Sequence, residues 1–152
     1  MTEDHHQQLQ HSQSGALTLN RPLSLVQRGL TTLATLDRTI YFPAHRQVGW
    51  LHFDGQRIAA KGEVRVPRAS NVELQVSIEG VRDLAFLREL GVEDIQGLDL
   101  RAAGKYLQDT DLTYLAKLKQ LTSLDLWGCS NLTDVGLAHL ATLSQLTSLD
   151  LR

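Results

Sequence analysis

The sequence holds a single cysteine, Cys129, which excludes an intramolecular disulfide framework and fits a reducing compartment. It also lacks a surplus of positive charge. Fifteen Lys and Arg stand against 17 Asp and Glu, a formal net charge of -2. No global positive field can then draw in nucleic acid or anionic lipid, so neither is expected as a partner. No stretch approaches the ~18 consecutive apolar residues of a membrane span. The start, MTEDHHQQLQHSQSG, has no apolar core of a secretion signal. A soluble, cytoplasmic protein is the expectation. The patterns GxSxG, HExxH, GxxxxGK[ST] and GxGxxG are all missing, and no cofactor follows from what remains. The six histidines form no metal pattern: His5, His6 and His11 fall in the polar start, and His139 falls on the outer side of a short helix. With no catalytic constellation, the chain is not expected to be an enzyme.

What is present is ordinary globular composition, 42% hydrophobic and 21% charged in 152 residues. Three segments follow from the patterning. Residues 1–20 are rich in Gln, His and Ser and are expected to be a disordered tail. Residues 21–71 are expected to form a helix and a β-rich cap. Leu23, Val26, Leu30 and Leu33 recur at helical spacing behind Pro22. Val48, Trp50 and Phe53 lie in a β-prone run that ends at the turn signal Asp54-Gly55, and Glu63–Val66 alternates up to Pro67.

Residues 72–152 repeat. Leu121-Thr-Ser-Leu-Asp-Leu126 recurs unchanged as Leu146-Thr-Ser-Leu-Asp-Leu151, and Ile95-Gln-Gly-Leu-Asp-Leu100 is an earlier variant. The offsets are 146 − 121, or 25, and 121 − 95, or 26. The segments 107–118 and 132–143 also align, so the extra residue falls in the turn before Leu107. Leu74 and Val76 form the core pair of a degraded first repeat, with Asp83–Leu90 as its return limb. Period and LxxLxL core together are the leucine-rich repeat signature. Alternation within a strand sends Leu124 and Leu126 into the core and Ser123, Asp125 and Trp127 outward. Asp109 and Asp134 stand where return helices begin and are expected to cap them. The expected fold is α/β: a right-handed leucine-rich repeat solenoid, a short horseshoe, with the β-rich cap before it. The last repeat is expected to be incomplete, with an uncapped edge open to self-association.

The segment Leu121-x-x-Leu124-x-Leu126-x-Gly128-Cys129-x-x-Leu132-Thr133-Asp134-x-Gly136-Leu137-x-x-Leu140 resembles the cysteine-containing class of leucine-rich repeats. That class occurs in substrate-recognising F-box proteins and in bacterial repeat proteins. Ala59–Pro67 looks like the lead-in of bacterial, planctomycete-like members. The resemblance implies a protein-binding concave sheet and no catalytic residue. The chain departs from the pattern at Ala103, in place of the cysteine, and at Asp111, in place of the glycine. No F-box-like helical sequence is present.

Stacking the repeats predicts two columns on the concave face: Gln75, Asp99, Asp125 and Asp150, and beside it Ser77, Arg101, Trp127 and Arg152. One reading is an acidic stripe, edged by Arg and Trp and by Ser123, that takes a basic peptide or loop of another protein. The alternative is a solvated face whose Asp residues recur only because the repeat duplicated. Trp127 beside arginines has the composition of a binding hot spot, or packs against its neighbours instead. Cys129 is expected to pack as a small apolar residue.

Overall fold

A computed structural model describes residues 37–152 of the chain. The polar tail at 1–20 and the helix at Leu23–Leu33 lie outside the described residues. The described part is mixed α/β, with eight strands in a two-stranded and a six-stranded sheet and no closed barrel. Strand β1 (Asp37–Tyr41) pairs antiparallel with β4 (Glu63–Pro67). The hairpin β2 (Gly49–Phe53) and β3 (Gln56–Ala60) turns at Asp54-Gly55, as the turn signal predicts, with both residues at positive φ.

Of the strands expected as the cap, β2 and β3 join the repeats in one sheet. β2 pairs antiparallel with β5 (Glu73–Val76), and β6 (Gly97–Asp99), β7 (Ser123–Asp125) and β8 (Ser148–Asp150) follow in parallel. Gly49 makes the β2–β5 junction possible, because an added Cβ would collide with the Gln75 carbonyl.

Each residue of the repeated hexapeptide has a visible task. The leucines face the core: Leu121, Leu124 and Leu126 are at most 1% exposed. The threonines tie strand starts together. The amides of Thr122 and Ser123 both donate to the Gln96 carbonyl, and the Thr122 hydroxyl donates to it at 3.0 Å. Thr147 and Ser148 repeat the pattern on the Thr122 carbonyl. The aspartates end the strands, because each accepts the backbone N–H two residues on: Arg101 on Asp99, Trp127 on Asp125 and Arg152 on Asp150, at 2.9–3.1 Å. This side-chain turn competes with the strand ladder and bends the chain away.

The return limbs are short. They comprise α1 (Ile78–Val81), 3-10 turns at Leu84–Arg88 and Asp109–Lys117, and α2 (Asp134–Ala138) running into a 3-10 turn at His139–Thr142. The extra residue of the earlier repeat sits in the 3-10 segment Arg101–Tyr106, which is kinked at Gly104 (φ 46°). The expected caps are corrected. Thr133, not Asp134, caps α2 by accepting from the Val135 amide, and Asp111 accepts from the Gln108 amide. Asp109 instead reaches the next repeat, accepting from the Thr133 amide (2.8 Å) and hydroxyl (2.5 Å). These hydrogen bonds hold the Asp109 carboxyl below its usual range. Gly136 must be glycine here, since a Cβ would overlap Asp109.

One core runs from Ile40 and Phe42 through Leu74, Leu98 and Leu124 to Leu140 and Leu143. Two contacts weld the lead-in to it. Phe42 packs on Phe86 with ring centroids 6.4 Å apart, and Arg38 donates to the carbonyls of Arg68, Ser70 and Asp94 and to Gln96 Oε1. Burial falls away at β8, where Leu149 and Leu151 are 42% and 49% exposed. Among the described residues no helix is long and apolar enough to cross a membrane.

Candidate functional site

The open face of the six-stranded sheet carries the predicted columns in register. Gln75, Asp99, Asp125 and Asp150 are successive neighbours across β5 to β8. The row continues into the lead-in, where Trp50 pairs with Gln75 and Ala59 with Trp50. Arg101, Trp127 and Arg152 follow two residues beyond their aspartates and line one hollow of ≈ 320 Å³ with Asp125 and Asp150. A larger hollow of ≈ 630 Å³ lies beside it, with Trp50 and Arg57 on one side, Trp127 on the other, and Gln75, Asp99 and Arg101 between them. The two tryptophans stand three strands apart, ~14 Å at the ordinary strand spacing.

The carboxylates are not an open acidic stripe. Asp99 is only 5% exposed and holds Arg101 at 2.6 Å. Arg101 also reaches Asp125 at 3.2 Å, and Arg152 holds Asp150 at 2.7 Å. Burial alone would raise the Asp99 carboxyl, but hydrogen bonds from the side chain and backbone of Arg101 outweigh it and hold the group below its usual range. Hydrogen bonds from Arg152 hold Asp150 down at about 2. The side-chain hydrogen bond and charge of Asp99 push Arg101 upward. A basic peptide therefore meets carboxylates already engaged, which corrects the acidic-stripe expectation. The mutual repulsion of neighbouring aspartates is relieved by two guanidinia seated among them.

Trp127 is 54% exposed. Its indole lines both hollows. Ser123 is exposed but belongs to the row of Glu73, Gly97 and Ser148, four residues back along the strand from Trp127. It lines neither hollow. Ser77 is taken up by structure: its hydroxyl caps α1 through the Gly80 amide and donates to the Val48 carbonyl.

The sequence reading missed Trp50 and Arg57. Arg57 lies 3.9 Å above the Trp50 ring, a cation–π contact. Their runs are visible in the sequence, but nothing there shows that β2 pairs with β5. It also missed Ile78, which is 71% exposed and lines the larger hollow. Cys129 packs partly buried with its thiol toward the Leu100 carbonyl at 3.7 Å, and burial pushes the thiol up, away from a nucleophilic thiolate. Ala103, which takes the cysteine's place one repeat earlier, is fully buried. His139 is half-buried rather than solvated. No cluster of three metal-ligating side chains occurs among the described residues.

Comparisons with protein-family models, curated proteins and solved structures return no match for this chain.

Proposed function

We propose that this chain is a leucine-rich repeat solenoid of the cysteine-containing type. In this reading it is a non-enzymatic module that binds another protein or peptide on its concave sheet. The repeat reading is supported by three parallel strands carrying Leu-Asp-Leu in register at offsets of 25 and 26 residues. The binding reading rests on one observation above others. Trp127 stays 54% exposed between two hollows, on a face whose aspartates are already engaged by neighbouring arginines. A large aromatic left in water beside a hollow is the kind of side chain that dominates interface energetics. The contact is centred on Asp99, Arg101, Asp125 and Trp127, with Gln75 and Trp50 on one side and Asp150 and Arg152 on the other. Ser123 stands at its margin. Cys129 and the aspartates hold the scaffold, and a cytoplasmic setting agrees with the lone thiol.

The competing reading is a structural segment of a larger repeat protein with no ligand of its own. Panning a displayed library of short peptides against the chain separates the two. Binders retained by the wild type should weaken roughly tenfold on Trp127→Ala, the effect of losing an aromatic hot spot. The variant's melting curve should stay unchanged. Absence of any Trp127-dependent binder would favour the structural segment.

A further inference from the structure

The Asp–Arg pairs fix not only a surface but the polarity of what can lie on it. Every oxygen of the three aspartates already accepts a hydrogen bond or an ion pair. Asp99 Oδ1 takes the Arg101 amide and Nε, and its Oδ2 takes Arg101 Nη2 and Gln75 Nε2. Asp125 Oδ1 takes the Trp127 amide, and its Oδ2 faces Arg101 Nε. Asp150 takes the Arg152 amide and Nε on one oxygen and Nη2 on the other.

The donors are not consumed in the same way. A guanidinium offers five N–H groups in a fixed fork. Arg101 and Arg152 each spend Nε and Nη2 on aspartate, and their Nη1 groups have no hydrogen-bond partner among the described residues. The Trp127 indole N–H has none there either. The two kinds of group also lie at different depths. The side chains of Arg101 and Arg152 are 50% and 83% exposed, against 7%, 31% and 28% for Asp99, Asp125 and Asp150. Carboxylates form a lower layer, and guanidinia with an indole between them form the layer that a partner touches.

We propose that the rank Arg101–Trp127–Arg152 docks an acidic peptide segment of the partner. Its carboxylates would sit on the outward N–H edges of the two guanidinia, and an apolar or aromatic side chain between them would lie against the indole. The inference rests on the binding role argued above and adds the partner's chemistry. The guanidinia need no reorganisation, because the aspartates beneath already hold them, and charge-assisted N–H···O bonds favour carboxylate over neutral acceptors. The two arginines stand two strands apart, ~10 Å, so acidic residues flanking one or two others in an extended segment can reach both. Three carboxylates lie against the two guanidinia, so the charge of the cluster works against the peptide, and the preference rests on the exposed N–H edges left unpartnered among the described residues.

The test is the composition of the Trp127-dependent binders selected from the displayed library. Enrichment of Asp and Glu around an apolar or aromatic residue is expected. Synthetic copies of those peptides should bind about 3-fold more weakly to Arg152→Gln, an exposed position, and lose affinity as salt rises. Enrichment of Lys or Arg, or no charge bias, would overturn the acidic preference while leaving the binding role of the face intact. Failure to select any Trp127-dependent peptide would overturn the binding role, and the preference with it.

Discussion

Leu121–Leu126 and Leu146–Leu151 are the same six residues in the same conformation, yet they differ in what surrounds them. In the first, Leu124 and Leu126 are 1% exposed; in the second, Leu149 and Leu151 are 42% and 49% exposed. The first copy has β6 on one side and β8 on the other, and the second has β7 alone. The hydrogen-bonding side chains behave alike in both. Thr122 and Thr147 tie to the preceding strand, and Asp125 and Asp150 close the strand with the same backbone bond. Polar residues of the motif thus act within a repeat and toward its predecessor. The leucines depend on having neighbours on both sides.

The sharpest way to break this comparison is to truncate the two equivalent leucines. Leu124→Ala should cost about 2–5 kcal/mol, since a buried leucine is lost and a cavity is left. Chemical denaturation monitored by circular dichroism measures it. A next, smaller effect lies in the two-stranded sheet, on β1. Arg38→Met should cost about 1.5–3 kcal/mol, because it strips charged donors from three carbonyls and the Gln96 side chain. Its Nε is buried without a partner among the described residues, which offsets part of the gain. Loss of β1 pairing in hydrogen exchange should accompany the change.

The aspartates sharpen the comparison through pH. Asp99 and Asp150 both have folded-state values below the ordinary 3.8. A depressed carboxyl contributes stability that is complete above its unfolded value and is lost as pH falls through the folded one. For Asp150 that window runs from about 3.8 down to about 2. Carboxyl NMR titration should give both groups midpoints under 3.8, and Arg152→Gln should move Asp150 back toward it while leaving Asp99 in place. The smallest effect is expected at Leu149→Ala, within about 0.5 kcal/mol, as for an exposed position without special contacts. A loss comparable to that of Leu124→Ala would show that β8 is covered in solution.

The open face of the six-stranded sheet repeats the same lesson about neighbours. Asp99, Asp125 and Asp150 read from the sequence as a ligand stripe, and stacking in register indeed brings them together. Their side chains turn out to serve the fold, because an Asp at a strand end finds the amide two residues on before it finds a ligand. Arg101 and Arg152 occupy the position two residues later and so fall directly over the carboxylates. The proposed partner segment is accordingly acidic, where the stripe alone suggested a basic one. Trp50 joined the site only through antiparallel pairing of β2 with β5, a contact that no periodicity encodes.

Local chemistry was legible in the chain alone. Alternation of leucines set the inward and outward faces, the 25- and 26-residue offsets set the parallel stacking of β6 to β8, and Asp54-Gly55 set the hairpin. These follow from strand geometry and turn chemistry, which act over a few residues. The tertiary structure alone decided which identical leucine is buried, where the lead-in strands attach, and whether an aspartate is available to a ligand. Each of those depends on what lies across the sheet, and residues tens of positions apart in sequence meet there.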